Sequence, residues 1–158
     1  MDISLKFDNI RFNYRVCAVI INDNKLLCMR SENVPYYYLP GGRVRLHEAV
    51  ENAVLRELRE ELDIEATIIR PLWLCQSFFC EDVSKEQFHE ICVYFLVDVS
   101  NTALLSKGNQ FIALEEDKKQ FFKWIDISNV KNEYLYPLFL KEKILNLPES
   151  FEMLTEIQ

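Results

Sequence analysis

Histidine is nearly missing from this chain: His47 and His89 are the two present in 158 residues. Their spacing does not suit a zinc site. The five cysteines, Cys17, Cys28, Cys75, Cys80 and Cys92, are odd in number, contain no C-x-x-C pair and sit mostly in apolar runs. That argues against a disulfide framework and for reduced, buried thiols. A basic excess is lacking too, with 18 Lys and Arg against 25 Asp and Glu, a net charge of −7. Such a balance opposes broad electrostatic binding to nucleic acid or to an anionic membrane. A small-molecule partner is expected instead. No apolar stretch approaches the length of a membrane span. The start, MDISLKFDNIRF, has no apolar core of a signal peptide, so a cytoplasmic location is expected. Repeats, low-complexity segments and linkers are absent.

What is present is a packable core: 49% hydrophobic and 13% aromatic residues. One domain over residues 1–158 is the natural size. Leu5–Arg11 reads as a short edge strand, and the mostly apolar Asn13–Asn22 as a buried one. Asp23-Asn24 makes a turn, and Lys25–Arg30 returns. Ala66–Phe79 alternates as a long strand bent at Pro71 and pairs as a hairpin with Phe88–Val99. Residues 101–116 read as a loop with a short strand, and Gln120–Ile125 as another strand. Asp126 or Ser128 would cap a helix start. Tyr134–Leu145 reads as a second amphipathic helix and Pro148–Gln158 as a fraying tail. The order gives an α/β fold with a mixed sheet, most simply an α/β/α sandwich.

Leu46–Leu62 is rich in Ala, Leu, Glu and Arg, without internal Gly or Pro, and reads as a helix. At about 100° per residue, Val54, Leu55, Leu58 and Leu62 share one arc, the core stripe. Glu57, Glu60 and Glu61 are related by i, i+3 and i+4, so their carboxylates gather on a neighbouring arc. Three like charges repel, and Arg56 and Arg59 lie mostly off that arc. A hard divalent cation resolves the conflict, since Mg²⁺ prefers carboxylate oxygens and keeps places for water and phosphate. Gly41 and Gly42 allow close backbone approach just before the helix. The plain alternative is a solvated acidic helix face.

The full pattern weighs against that alternative. Gly42, five residues, Glu48, seven residues, then Arg56-Glu57-Leu58-x-Glu60-Glu61 and Ile64 resembles the signature of the Nudix hydrolases. That resemblance implies a Nudix fold and a Mg²⁺- or Mn²⁺-dependent hydrolase. Its substrate would be a nucleoside diphosphate linked to another group. It implies that Glu57, Glu60 and Glu61 bind metal, that the Gly41 carbonyl can also ligate, and that Arg56 orients a metal-binding glutamate. Glu48 would support the loop–helix geometry together with Gly42. Asp63 departs from the pattern, standing where the family has a glycine that leaves the helix in the left-handed conformation. Asp tolerates that conformation at some strain.

Outside the motif, Glu90 is a candidate base, because a charge early in a central strand must be used or paired; a salt-bridged Glu90 is the alternative. His89 should point the opposite way. The family often places a phosphate-contacting cation where Arg30 stands, the alternative being a surface arginine, and Arg15 is a weaker candidate. Tyr36, Tyr37, Tyr38, Phe78 and Phe79 either stack on a base or pack; Tyr38 is the substrate-binding candidate among them. Trp73 and Trp124 read as core. Nucleoside triphosphates, oxidised nucleotides and ADP-ribose-like molecules all remain open as substrates. The short chain slightly favours a small nucleotide. A catalytically silent ligand sensor and a hydrolase of a non-nucleotide pyrophosphate are the competing functions. Aromatic residues 134–139 are either a homodimer interface or a docked helix.

Overall fold

The apolar run after Asn13 does not stay in one sheet. In the computed structural model, which describes residues 1–158, β1 (Ser4–Phe7) and β2 (Ile10–Val19) belong to one sheet, and the chain crosses at Ile20 into β3 (Ile21–Asn22) and β4 (Lys25–Ser31) of a second. β5 (Gly41–Arg43) returns beside β2, and α1 (Val50–Leu62) follows. β6 (Thr67–Cys80) and β7 (Gln87–Asp98) form the expected long hairpin, with register shifts flanking Pro71. The first sheet runs β1-β2-β7-β6-β10 with β5 on β2, and it is mixed: β2–β7 and β6–β10 are parallel. β8 (Gln110–Glu115) and β9 (Lys118–Asp126) complete the second sheet, β3-β4-β9-β8.

Strand periodicity then builds two cores. Val16 and Ala18 of β2 pack with Ala53, Val54, Leu58 and Leu62 of α1. Cys17 and Val19 pack with Val130, Leu135, Leu140 and Ile144 on the other side. The sandwich is therefore as expected, but its second helical layer is thin. The helix expected over Tyr134–Leu145 shrinks to α2 (Leu140–Lys143). Its first residues are extended instead, because Tyr37 accepts the Tyr136 N–H at 2.9 Å and donates to the Tyr134 carbonyl at 2.8 Å. The aromatic residues there dock internally. Phe139 packs edge-on to Trp73 and Tyr94, and the Tyr134 and Tyr136 hydroxyls donate to Asp82.

The tail does not fray. Glu152–Ile157 is β10, pairing along the open edge of β6 from Trp73 to Phe78. The main helix begins at Val50 rather than Leu46. Arg45–Glu48 is a turn instead, with His47 left-handed (φ 64°) and the Arg45 N–H donating to Glu48 at 2.9 Å.

Asp63 ends α1 in the left-handed region, φ 54° and ψ 44°, its N–H donating to the Arg59 carbonyl at 3.0 Å. A Cβ is disfavoured there. Asp63→Gly should raise stability by about 0.5–1 kcal/mol, read as a higher urea midpoint at unchanged slope. A lower midpoint would contradict the strain account.

Candidate active site

One face of β2-β7-β6 carries a graded wall set by strand register. Arg15 lies opposite Cys92, Asn13 opposite Glu90 and Ser77 opposite Glu90 from the other side, and Phe88 pairs with Phe79. The Phe79 and Phe88 rings stack 5.1 Å apart. All but Cys92 line a cavity of about 680 Å³, closed on another side by Met29, Ser31, Tyr38 and Gln120. Glu57, Glu60, Glu61 and Glu115 line its acidic end.

The acidic end is assembled by α1. Glu57 and Glu61 are 8% and 5% exposed, while Glu60 is exposed. Glu57, Glu60 and Glu115 each bring an oxygen within 4.8 Å of the others. Glu115 comes from the end of β8, just before the left-handed Glu116-Asp117 turn. Glu61 turns elsewhere and accepts the Gly41 N–H at 3.1 Å.

Arg56 is the hub beneath. Its guanidinium clasps Glu48 through Nε at 2.6 Å and Nη2 at 2.9 Å, reaches Glu57 at 2.6 Å and Glu60 at 3.3 Å, and donates to the Arg43 carbonyl at 3.0 Å. Arg56, expected mostly off the glutamate arc and unable to neutralise all three, reaches two of them through its long side chain. Arg59 does lie off it, paired with Glu65 at 2.6 Å.

The electrostatics divide along the same line. The hydrogen bonds from Arg56 hold the Glu48 carboxyl down at about 2. Burial pushes Glu57 up, and the Arg56 contact only partly offsets it. Burial, then the neighbouring Glu57 and Glu115, lift Glu61 well above the ordinary glutamate range. Burial and repulsion from Glu57 and Glu60 raise Glu115 as well. The donor set is carboxylate oxygen without thiol or imidazole, under mutual repulsion that one arginine does not relieve. That chemistry fits a hard divalent cation. Gly42 supports the fit, because a Cβ there would stand 2.4 Å from the Glu57 carboxylate.

The NUDIX domain profile matches residues 11–143, most of the chain. The chain belongs to the Nudix family. An ADP-ribose pyrophosphatase of Methanocaldococcus jannaschii is 33% identical over 87 residues, 53% of this chain and 49% of that protein. An RNA pyrophosphohydrolase of Campylobacter jejuni is 27% identical over 142 residues, 82% of this chain and 90% of that one. The mRNA-decapping protein D10 of fowlpox virus is 28% identical over 107 residues, and the chain spans 44% of its length. The chain thus spans under half of the archaeal and viral proteins. A Nudix hydrolase structure from Nitrosomonas europaea superposes with TM-score 0.56 at 14% identity, covering 92% of this chain and 79% of that one, and shows the shared fold.

Within this Nudix domain the motif residues Gly41, Gly42, Glu48, Arg56, Glu57, Glu60 and Glu61 meet at one end of the cavity or just beneath it. Tyr38 lines the cavity as expected. Glu90 lines it too, and lies 3.8 Å from Arg15, so it is both cavity-facing and paired. His89 points away and stacks on Phe78 at 4.4 Å. Arg30 is misplaced by one residue of strand parity. Met29 and Ser31 face the cavity, while Arg30 lies on the opposite face with its guanidinium 4.5 Å over Phe121. Arg15, on the cavity side of β2, is the cation that faces Glu90. Glu115 escaped the sequence reading. Its signal was the apolar Phe111–Leu114 run before a Glu-Glu-Asp turn, a hairpin pattern. No helix is long and apolar enough to cross a membrane.

Proposed function

We propose that this Nudix domain hydrolyses a phosphoanhydride bond in a nucleoside diphosphate linked to another group, using Mg²⁺ or Mn²⁺. The observation that carries the reading is the convergence of Glu57, Glu60 and Glu115 within 4.8 Å at one end of a nucleotide-sized cavity. These three would hold the cation, which when bound supplies Lewis-acid polarisation of phosphoryl oxygen and a water of lowered pKa. The chain's own residues do the rest. Arg56 fixes Glu57 and Glu60 in place and is itself anchored by Glu48. The Gly41 N–H holds Glu61 in the cavity lining beside that cluster. Arg15 presents its guanidinium to the phosphate path. Glu90, beside Arg15, and Glu61, held by the Gly41 N–H, are the two candidates to accept a proton from water.

The raised carboxyls set a test in the metal-free protein. A carboxyl whose pKa rises on folding binds its proton more tightly folded than unfolded. It stabilises the fold below the ordinary value of 4.5 and loses that contribution as pH climbs through the raised value. The Tm without metal should therefore fall as pH climbs above 4.5. A fixed Mg²⁺ concentration, about a hundredfold above the Kd at the higher pH, should add about 2.7 kcal/mol there, roughly 5–10 °C, and less at the lower pH. A pH-independent Mg²⁺ effect would sink the cluster account.

Phosphate release decides the substrate. The panel is the nucleoside triphosphates, oxidised dGTP, ADP-ribose, dinucleoside polyphosphates and isoprenyl diphosphates. Turnover of a nucleotide class by the wild type, lost in Glu60→Gln, supports the proposal. Silence across the panel with metal bound supports a sensor. A second reading, the triphosphorylated 5′ end of an RNA, is favoured by the RNA pyrophosphohydrolase that this chain matches over 90% of its length. A 5′-triphosphorylated oligoribonucleotide in the same panel tests it.

A further inference from the structure

The cavity contains two polar groups that the metal chemistry leaves unused. Asn13 on β2 is 3% exposed and Gln120 on β9 is 8% exposed, and both line the cavity. The Asn13 Oδ1 and Gln120 Oε1 atoms are fully buried and find no hydrogen-bond donor in the protein. An orphan of this kind destabilises the fold, and folded proteins rarely keep one without a use. The two residues stand on different sheets and both line the same cavity.

We infer that Asn13 and Gln120 form a nucleobase-reading site in this cavity. A side-chain amide offers an acceptor beside two donors, and the edge of a nucleobase offers the complementary pair. Asn13 sits two positions along β2 from Arg15 and opposite Glu90, so it lies beside the path given to the phosphates. The stacked Phe79 and Phe88 rings adjoin that row on the side away from Arg15 and give a planar base an aromatic surface. A tyrosine, Tyr38, lines the wall that carries Gln120. An isoprenyl chain or inorganic pyrophosphate has no N–H to satisfy either orphan oxygen. The inference rests on the hydrolase reading only for which end of the cavity takes phosphate.

Binding of uncharged nucleosides to the metal-free protein tests it without catalysis. Ligand-observed NMR would compare adenosine, guanosine, cytidine and uridine with ribose. At least one nucleoside should bind where ribose does not. Asn13→Leu and Gln120→Leu should each weaken it by roughly 10- to 100-fold, while the Tm of the metal-free variants holds or rises because an orphan is removed. A merely structural amide would instead lower the Tm and leave binding alone. Asn13→Asp, of equal size, loses the amide donors and should change which base binds best even if Asn13→Leu folds poorly. No nucleoside binding above ribose, or equal binding by the variants, overturns the inference. Phosphate release with Mg²⁺ judges the hydrolase reading separately, so the two can fail independently.

Discussion

Glu60→Gln should lower kcat by about 10³-fold, the loss of roughly 4 kcal/mol of transition-state stabilisation. Gln keeps the size of the side chain and removes the charge. Glu60 is exposed, and its protein partners are Arg45 at 3.1 Å and Arg56 at 3.3 Å. Exposed ion pairs of that kind contribute about 0–1 kcal/mol to stability. Tm should therefore move by no more than a few degrees, and the activity loss is not an unfolding effect. Glu48→Gln is the matched comparison. Glu48 touches Arg56 and the Arg45 N–H but does not join the three converging carboxylates. Loss of an outer support of this type costs about 10- to 100-fold. Steady-state kinetics on both variants checks the ranking. Equal losses, or a Glu60→Gln loss within tenfold, would contradict it.

Gly41→Ala and Gly42→Ala, neighbours in β5, should fail in different ways. At Gly41 the backbone has φ of +151°, and a Cβ would fall 2.1 Å from the Val16 carbonyl oxygen and 2.8 Å from the Cys17 Cα. Both are backbone atoms of a central strand, and neither can move without breaking the β2–β5 pairing. A loss of about 3 kcal/mol or more is expected, a fall in Tm of roughly 6–12 °C. At Gly42 the three atoms nearest a Cβ would all belong to the carboxylate of Glu57, at 2.4–2.5 Å. A side-chain end can swing aside, so the fold should survive. Glu57 then leaves Arg56 and the cation-holding cluster, and kcat should drop by about 100-fold. Thermal melts beside kinetics separate the two. A Gly42→Ala protein with full activity would show that Glu57 does not need its place.

The parts of this molecule that were legible in sequence are those whose information is local. The glutamates of α1 share an arc because helical spacing places them there, and the β6–β7 hairpin shows in alternation across Pro71. Asp63 declared its left-handed turn by standing where a glycine is wanted. The failures have physical causes of their own. β10 was hidden because two of its three apolar residues face solvent, Met153 69% and Ile157 79% exposed, while Glu152 and Glu156 share the half-buried state with Leu154. Alternation of that sense does not mark a core strand. Arg30 and Arg15 differ only in which side of a strand they take, and a one-residue change of parity exchanges cavity for surface. Glu115 reaches the site through a hairpin that folds onto α1, and no spacing within the chain reports that approach. Asn13 and Gln120 became visible only once burial left their oxygens without partners.

Glu57, Glu60 and Glu115 are proposed to hold one divalent cation together. Titration of Mn²⁺ followed by electron paramagnetic resonance, on the wild type and on Glu57→Gln, Glu60→Gln and Glu115→Gln, tests it most directly. The account predicts saturable binding by the wild type and an affinity at least tenfold weaker in each variant, with unchanged circular dichroism. Binding of equal strength in all four proteins would contradict it.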